Sequence, residues 1–213
     1  DLMNRPHSQA IISGLHSKIV LNRRLRVLAE HVLALLPEKA RVLDVGCGNG
    51  VISRQVMEAR PDLCIEGIDV LKRPVCAIPM QVYDGEIFPF NDNSVDVVMF
   101  MDVLHHTDDP LGLLREAVRV ARSAIVLKDH ICNDWIDERV LAFMDWIGNR
   151  SHGVALPYNY WSSRQWEDAW STLGLEPDVV ITHLGLYPWF ARPVFESGLH
   201  FIERVPVDKS ESP

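Results

Sequence analysis

The stretch RVLDVGCGNG, residues 41 to 50, ends an apolar run in three glycines within five positions, and VISRQVMEAR follows at once with helical spacing. Each glycine costs backbone entropy. Three of them between a strand and a helix therefore predict a sharp turn and a main chain bared for close approach to a ligand. In open α/β sheets that place is the crevice beyond the carboxyl ends of the strands, where strand order reverses.

The rest of the chain supplies the elements such a loop requires. Apolar residues from Ile19 to Leu36 recur at helical spacing up to Pro37. CIEGIDV and MQVYDG read as short strands, and VDVVMFMDVLHH as one buried on both faces. PLGLLREAVRVA is an amphipathic helix, and SAIVLKDH a fifth strand. Strands alternating with helices at this pace predict an α/β fold with a doubly wound, Rossmann-like sheet and helices on both faces. After His130 the rhythm changes: DWIDERVLAFMDWIGN is helical, SHGVALPYNYWSS irregular, and SRQWEDAWSTLG helical again. DVVITHL and GLHFIERV are predicted to pair as a hairpin at one sheet edge. The expected organisation is a single domain over 1–213. It comprises an N-terminal helical cap (1–37), a cofactor-binding core (40–130), a substrate-side insert (131–165) and a closing helix with strands (166–206).

Composition narrows the function classes. A formal net charge of -8 gives no footprint for nucleic acid, whose phosphates need clustered Lys and Arg. The local exception, NRRLR at 22–26, reads as a solvated helix face. Cys47, Cys64, Cys76 and Cys132 show no C-x-x-C spacing and read as reduced, buried thiols of a cytoplasmic protein. No apolar run approaches the ~18 residues that cross a bilayer, and no signal peptide opens the chain. Asp1 in place of Met suggests a trimmed start, and DKSESP a frayed tail.

Strand tips carry the chemistry. G-x-G-x-G at 46–50 differs from the G-x-G-x-x-G of dinucleotide sites. Asp69 ends the second strand 19 residues beyond Gly50, where a carboxylate can accept both hydroxyls of a ribose. Asp84 ends the third, placed to take an adenine amino hydrogen, with Gly85 letting the base lie close. Any one of these acids alone could be a turn residue, and Cys47 could simply be tucked under the turn. VLDVGCGNG, IDV, DGEIFPFNDNSVDVV and MDVLHHTDDP resemble, in order and spacing over about residues 40 to 130, the motifs of the class I S-adenosylmethionine-dependent methyltransferases. The nearest subgroup acts on small molecules, quinones or lipids. The resemblance implies a seven-stranded sheet with its last strand antiparallel, and S-adenosyl-L-methionine as cofactor with S-adenosyl-L-homocysteine as product. It implies that Asp44, Gly46, Cys47, Gly48 and Gly50 hold the methionine part. Asp69 would hold the ribose and Val70 the adenine face; Asp84 and Gly85 would hold the base, with Met101 and Asp102 forming the floor.

Methyl transfer from a sulfonium needs alignment above all, and a base only where the acceptor must lose a proton. His106 matches a position where the family often carries a histidine, as base or as an orienting residue. Lys128, Asp129 and His130 sit at the tip of the fifth strand. Asp129 or His130 is a candidate base or acceptor-binding group, and Lys128 an acceptor contact or the neutraliser of a nearby carboxylate. Tyr158, Asn159, Tyr160 and Trp161 are candidate cover for an acceptor, with His16, Asn22 and Arg23 closing the other side. His105 and His106, read as strand neighbours on opposite faces, would chelate poorly, so no metal is expected. The expectation is methyl transfer to a small or medium-sized organic acceptor, mainly at oxygen, by a chain for which a homodimer is one possible state. The alternatives are a nicotinamide-dependent oxidoreductase and a non-catalytic cofactor-binding partner protein.

Overall fold

The computed structural model describes residues 22–149, 158–189, 191–196 and 198–207. The helix start at 19–21, His16, the stretch SHGVALP and the tail DKSESP lie outside the described residues. Helix α1 is described over 22–35. It is followed by β1 (Arg41–Val45), α2 (Val51–Ala59), β2 (Cys64–Asp69), β3 (Met80–Val82) and β4 (Val95–Met101). A single 3-10 turn at Leu104–His106 leads to α3 (Pro110–Val120), β5 (Ala121–His130), α4 (Trp135–Asn149) and α5 (Ser163–Leu173). Strand β6 (Val179–Ile181), the short α6 (Arg192–Phe195) and β7 (His200–Pro206) close the chain.

The strands form one seven-stranded sheet in the order β3-β2-β1-β4-β5-β7-β6. The pairs β1–β2, β2–β3, β1–β4 and β4–β5 are parallel, whereas β7 runs against both β5 and β6. Strand order reverses between β1 and β4, which opens the crevice beside the glycine loop. Period-2 alternation divides the sheet's side chains between two cores. Leu43, Phe100, Ile125 and Leu127 pack on the face covered by α3 and α5. Val42, Met99, Ala124 and Val126 pack on the face covered by α1 and α2. A register shift between Val95 and Val97 explains why Val95 and Val98 share one face. Two helices carry their own boundaries. Asp109 caps α3 through the Gly112 amide (2.8 Å) with Pro110 in its first turn, and Ser162 with Gln165 forms a capping box on α5.

Two expectations need correction, while a third holds: the last two strands pair antiparallel at one edge of the sheet. β7 inserts between β5 and β6, in register from Ala124↔Pro206 to His130↔His200, because its Phe201, Ile202 and Val205 are buried and need neighbours on both sides. The three-residue β6, with Val180 exposed, suits the edge. None of the cysteines is fully buried: Cys64 is exposed at the start of β2, and the other three are half-buried, all as free thiols. Nor is NRRLR a solvated face throughout. Arg23 donates to the Gly185 carbonyl at 3.1 Å and Arg24 to Asp102 at 2.6 Å, leaving only Arg26 in an exposed pair, with Glu30. Among the described residues no helix is long and apolar enough to cross a membrane.

Glu203 on β7 is a buried acid away from any strand tip. Trp170 donates its indole N–H to it at 2.7 Å. Burial raises its carboxyl to about 7, against the lowering effect of that bond. A carboxyl whose pKa is raised by folding favours the folded state when protonated, so this stabilisation is full below about pH 4.5 and lost as pH climbs toward 7. Glu203→Gln keeps the acceptor oxygen without the charge. Urea unfolding should show it no less stable than wild type at pH 4.5 and more stable at pH 8, by up to roughly 3 kcal/mol.

Candidate active site

The glycine loop is fixed by its neighbours on both sides. Gly46, Gly48 and Gly50 all adopt left-handed φ (68°, 57° and 69°), the region an L side chain resists. The Gly46 and Cys47 amides donate to the Ile68 carbonyl at 2.8 and 3.2 Å, stitching the loop to the tip of β2. A Cβ on Gly46 would stand 2.7 Å from a Val103 methyl, and one on Gly50 2.7 Å from Ile78. At Gly48 nothing lies within 4 Å, so its free side faces open space. Cys47 takes the structural role: its Sγ would sit 2.5 Å from a Cβ at Gly67, which explains a glycine in mid-strand β2.

The acids at the strand tips differ in their engagement. Asp44 is buried under the loop and accepts the Ser53 hydroxyl at 2.6 Å. Burial raises its carboxyl to about 7, the Ser53 bond lowers it, and the Asp69 charge raises it further. Asp69, also buried, accepts the Gly48 amide at 2.9 Å and the Leu71 amide at 2.8 Å, with Arg73 3.6 Å away. Asp84 lies two residues beyond the end of β3, on the surface. Its Oδ1 accepts the Glu86 and Ile87 amides at 2.8 and 2.9 Å, and these bonds lower its pKa. Beside it Gly85 (φ 92°) would bring a Cβ within 3.1 Å of Val70, itself half exposed. Asp44, the glycines, Asp69, Val70 and Gly85 therefore gather around one crevice, and Asp84, next to Gly85, has its Oδ1 engaged by its own turn.

Across the crevice the tips of β4 and β5 hold a buried charge network. Asp102 (φ 59°) ends β4 just after Met101 and pairs with both Lys128 and Arg24, the latter at 2.6 Å. Burial alone would raise its carboxyl, but those two cations hold it well below the usual range. Lys128 is fully buried and also lies 3.2 Å from His200 Nδ1, so its charge is directed at Asp102 rather than facing an acceptor. Asp129, equally buried, accepts the Leu104 amide at 2.9 Å, His105 Nδ1 at 2.6 Å and the His130 amide at 2.8 Å. Burial, then the Lys128 charge, pushes the His130 imidazole down to about 4.

His105 and His106 do not lie on a strand at all. The left-handed Asp102 terminates β4, both histidines fall in the 3-10 turn, and their ring centroids are 4.0 Å apart. The strand geometry that argued against a metal is therefore absent. His105 is buried and His106 half-buried. Asn159 ties the insert to this turn, its amide donating to the His105 carbonyl (3.1 Å) and its side chain to that of Thr107 (3.0 Å). Tyr160 stacks on His105 (5.6 Å), Tyr158 lies beside Tyr160, and Trp161 packs inward on Trp166. Sequence reasoning missed Arg24, His200 and the part played by His105. HH at a strand end was a visible signal; no local pattern marks a contact between Arg24 and Asp102, 78 residues apart. A cavity of about 570 Å³ between α5 and β6–β7, lined by Trp166, Trp170, Phe201 and Glu203, lies away from this crevice.

Comparison with known proteins agrees with this geometry. Residues 20–180 match the model of a family described as a methyltransferase domain. The chain belongs to that family. It is a class I S-adenosylmethionine-dependent methyltransferase in fold and motifs, which decides against the nicotinamide-dependent alternative. The chain is 30% identical over 45% of its length to 27-O-demethylrifamycin SV methyltransferase of Amycolatopsis mediterranei, covering 40% of that protein. It is 33% identical over 42% of its length to ubiquinone biosynthesis O-methyltransferase of Hahella chejuensis, covering 41% of it. The matches thus span less than half the length of these relatives. A chain in the complex of the Haloferax volcanii Trm112 methyltransferase activator with its methyltransferase superposes with a TM-score of 0.65 at 16% identity. That match covers 91% of this chain and 93% of the other, a likeness of fold.

The loop's packing makes a stability prediction for this methyltransferase. Gly46→Ala forces both a left-handed Cβ and a collision with Val103, so it should lower stability by more than about 2 kcal/mol. Gly48→Ala meets only backbone strain, of order 1 kcal/mol. Denaturant midpoints of the two variants test that order.

Proposed function

We propose that this methyltransferase transfers the methyl group of S-adenosylmethionine to a hydroxyl of a small or medium-sized organic acceptor. The observation that carries the reading is the bond from the Gly48 amide to the Asp69 carboxylate. It places a bare stretch of main chain, open on its free side, next to an acid suited to ribose hydroxyls. Gly46, Gly48 and Gly50 would hold the methionine part, Asp69 the ribose, and Val70 with Gly85 the base; Met101 and Asp102 border the floor. When bound, S-adenosylmethionine supplies a methyl group already activated on a sulfonium. The residues around it then need only align the acceptor and accept its proton.

Oxygen is favoured as the target because the two relatives described above are named as an O-methyltransferase and as a methyltransferase of an O-demethylated compound. His106 is the group proposed to take the proton. It is only half-buried, in the turn after β4, its amide bonded to the carbonyl of the Val103 that packs on Gly46. Asp129 and His130, both sealed from solvent, act by holding the turn that carries His106. Lys128 fixes Asp102 in place. Tyr158 and Tyr160 border the acceptor side, and Asn159 anchors them to the turn.

Calorimetry with S-adenosylhomocysteine and a methyl-release assay on phenolic and aliphatic hydroxyl acceptors test the reading. Asp69→Ala and Gly48→Ala should each weaken S-adenosylhomocysteine at least tenfold. His106→Gln should leave that affinity intact while lowering kcat by about 10²-fold or more. Binding without turnover on any acceptor would identify a non-catalytic partner protein. Absence of binding would overturn the cofactor assignment.

A further inference from the structure

We propose that His105, Asp129 and His130 form a binding site for a divalent transition-metal ion beneath the candidate active site. Three ligand atoms converge there. His105 Nδ1 lies 2.6 Å from Asp129 Oδ1, and His130 Nδ1 lies 3.3 Å from each of them. Two ligands of a tetrahedral ion bound at about 2.0–2.1 Å stand about 3.3 Å apart, so two of the three edges already have that length. The third, the His105–Asp129 edge, is a hydrogen bond that metal binding would replace, the Nδ1 proton moving to Nε2 so that His105 ligates as a neutral imidazole.

His130 faces a carboxylate from each ring nitrogen, Nδ1 at 3.3 Å from Asp129 Oδ1 and Nε2 at 3.7 Å from Asp102 Oδ1. A neutral imidazole carries one ring proton, and with that proton on Nε2 the Nδ1 lone pair is available to an ion at the centre. The carboxylate is also oriented from outside, its Oδ2 by the Leu104 amide and its Oδ1 by the His130 amide, as ligating carboxylates are. All three residues are 2% exposed or less, so water does not compete for the ion. The nearest fixed cations, Lys128 and Arg24, are already paired with Asp102.

Two imidazole nitrogens and one carboxylate oxygen suit zinc, cobalt, nickel or ferrous iron; magnesium and calcium prefer oxygen throughout. The ion would clamp the Leu104–His106 turn to the end of β5. That clamp bears on the proposed base His106, but metal content can be read whether or not His106 has that role.

The test uses the untagged chain. Grown with added zinc and dialysed, it should retain about one ion per chain by elemental analysis. Replacement with cobalt should give the visible absorption of a nitrogen- and oxygen-ligated ion of low coordination number. Asp129→Asn and His130→Gln, checked for folding by circular dichroism, should each cut retention more than tenfold. Wild type stripped by a chelator should show a rise in Tm on return of zinc or cobalt, a readout that does not depend on the variants folding. A folded wild-type chain that holds no ion and whose Tm ignores both metals would overturn the site. So would undiminished retention in the folded variants.

Discussion

The structure depends on a steric constraint at Gly46. The loop after β1 passes between the Ile68 carbonyl on one side and the Val103 methyls on the other, with no room for a side chain and a φ that disfavours one. Because that passage is filled, the tips of β2 and β4 are held at fixed distances from β1. The Gly48 amide can then meet the Asp69 carboxylate, and the crevice where strand order reverses has one shape. Gly67 answers the same constraint from beneath, leaving space for Cys47.

A second layer of order comes from charge that is buried at Lys128 and Asp129 and half-buried at Asp102 and Arg24. Asp102, Lys128 and Arg24 join β4, β5 and α1, and Asp129 joins β5 to the turn after β4. Buried ions are costly unless paired and hydrogen-bonded, and these have several partners each. Their value is positional: losing one partner would leave another charge without compensation, so the two strand tips and the helix are held in one arrangement. The side chains at the β5 tip that look most chemical in the sequence are therefore largely internal, whereas His106 beside them is only half-buried.

Much of the frame was legible because its signals are local. Strands β1 to β5 announced themselves as apolar runs, α2 and α3 by spacing, and the glycine loop by its spacing and its place between strand and helix. Asp69 was legible because it closes the apolar run that follows the glycine loop and its helix, which sets it at the neighbouring strand tip. Asp84 was legible as a strand-end acid, while its bonds to the next two amides, made through Oδ1, appear only in the structure. The pairing of β6 with β7 at one edge was legible as well; that β7 rather than β6 lies beside β5 was not, because an antiparallel pair reads the same in either order.

The sequence by itself determined the alternation of strands and helices, the position of the bare loop and the identity of the acid facing it, since each follows from patterns within about twenty residues. Only the tertiary structure decided that Arg24 turns inward to Asp102, that Lys128 is held in a buried pair, and that His105 meets Asp129 and His130. Those contacts join positions 24 to 78 residues apart. Their geometry is set by how sheet, turn and helix pack together, and a one-dimensional pattern does not carry that packing.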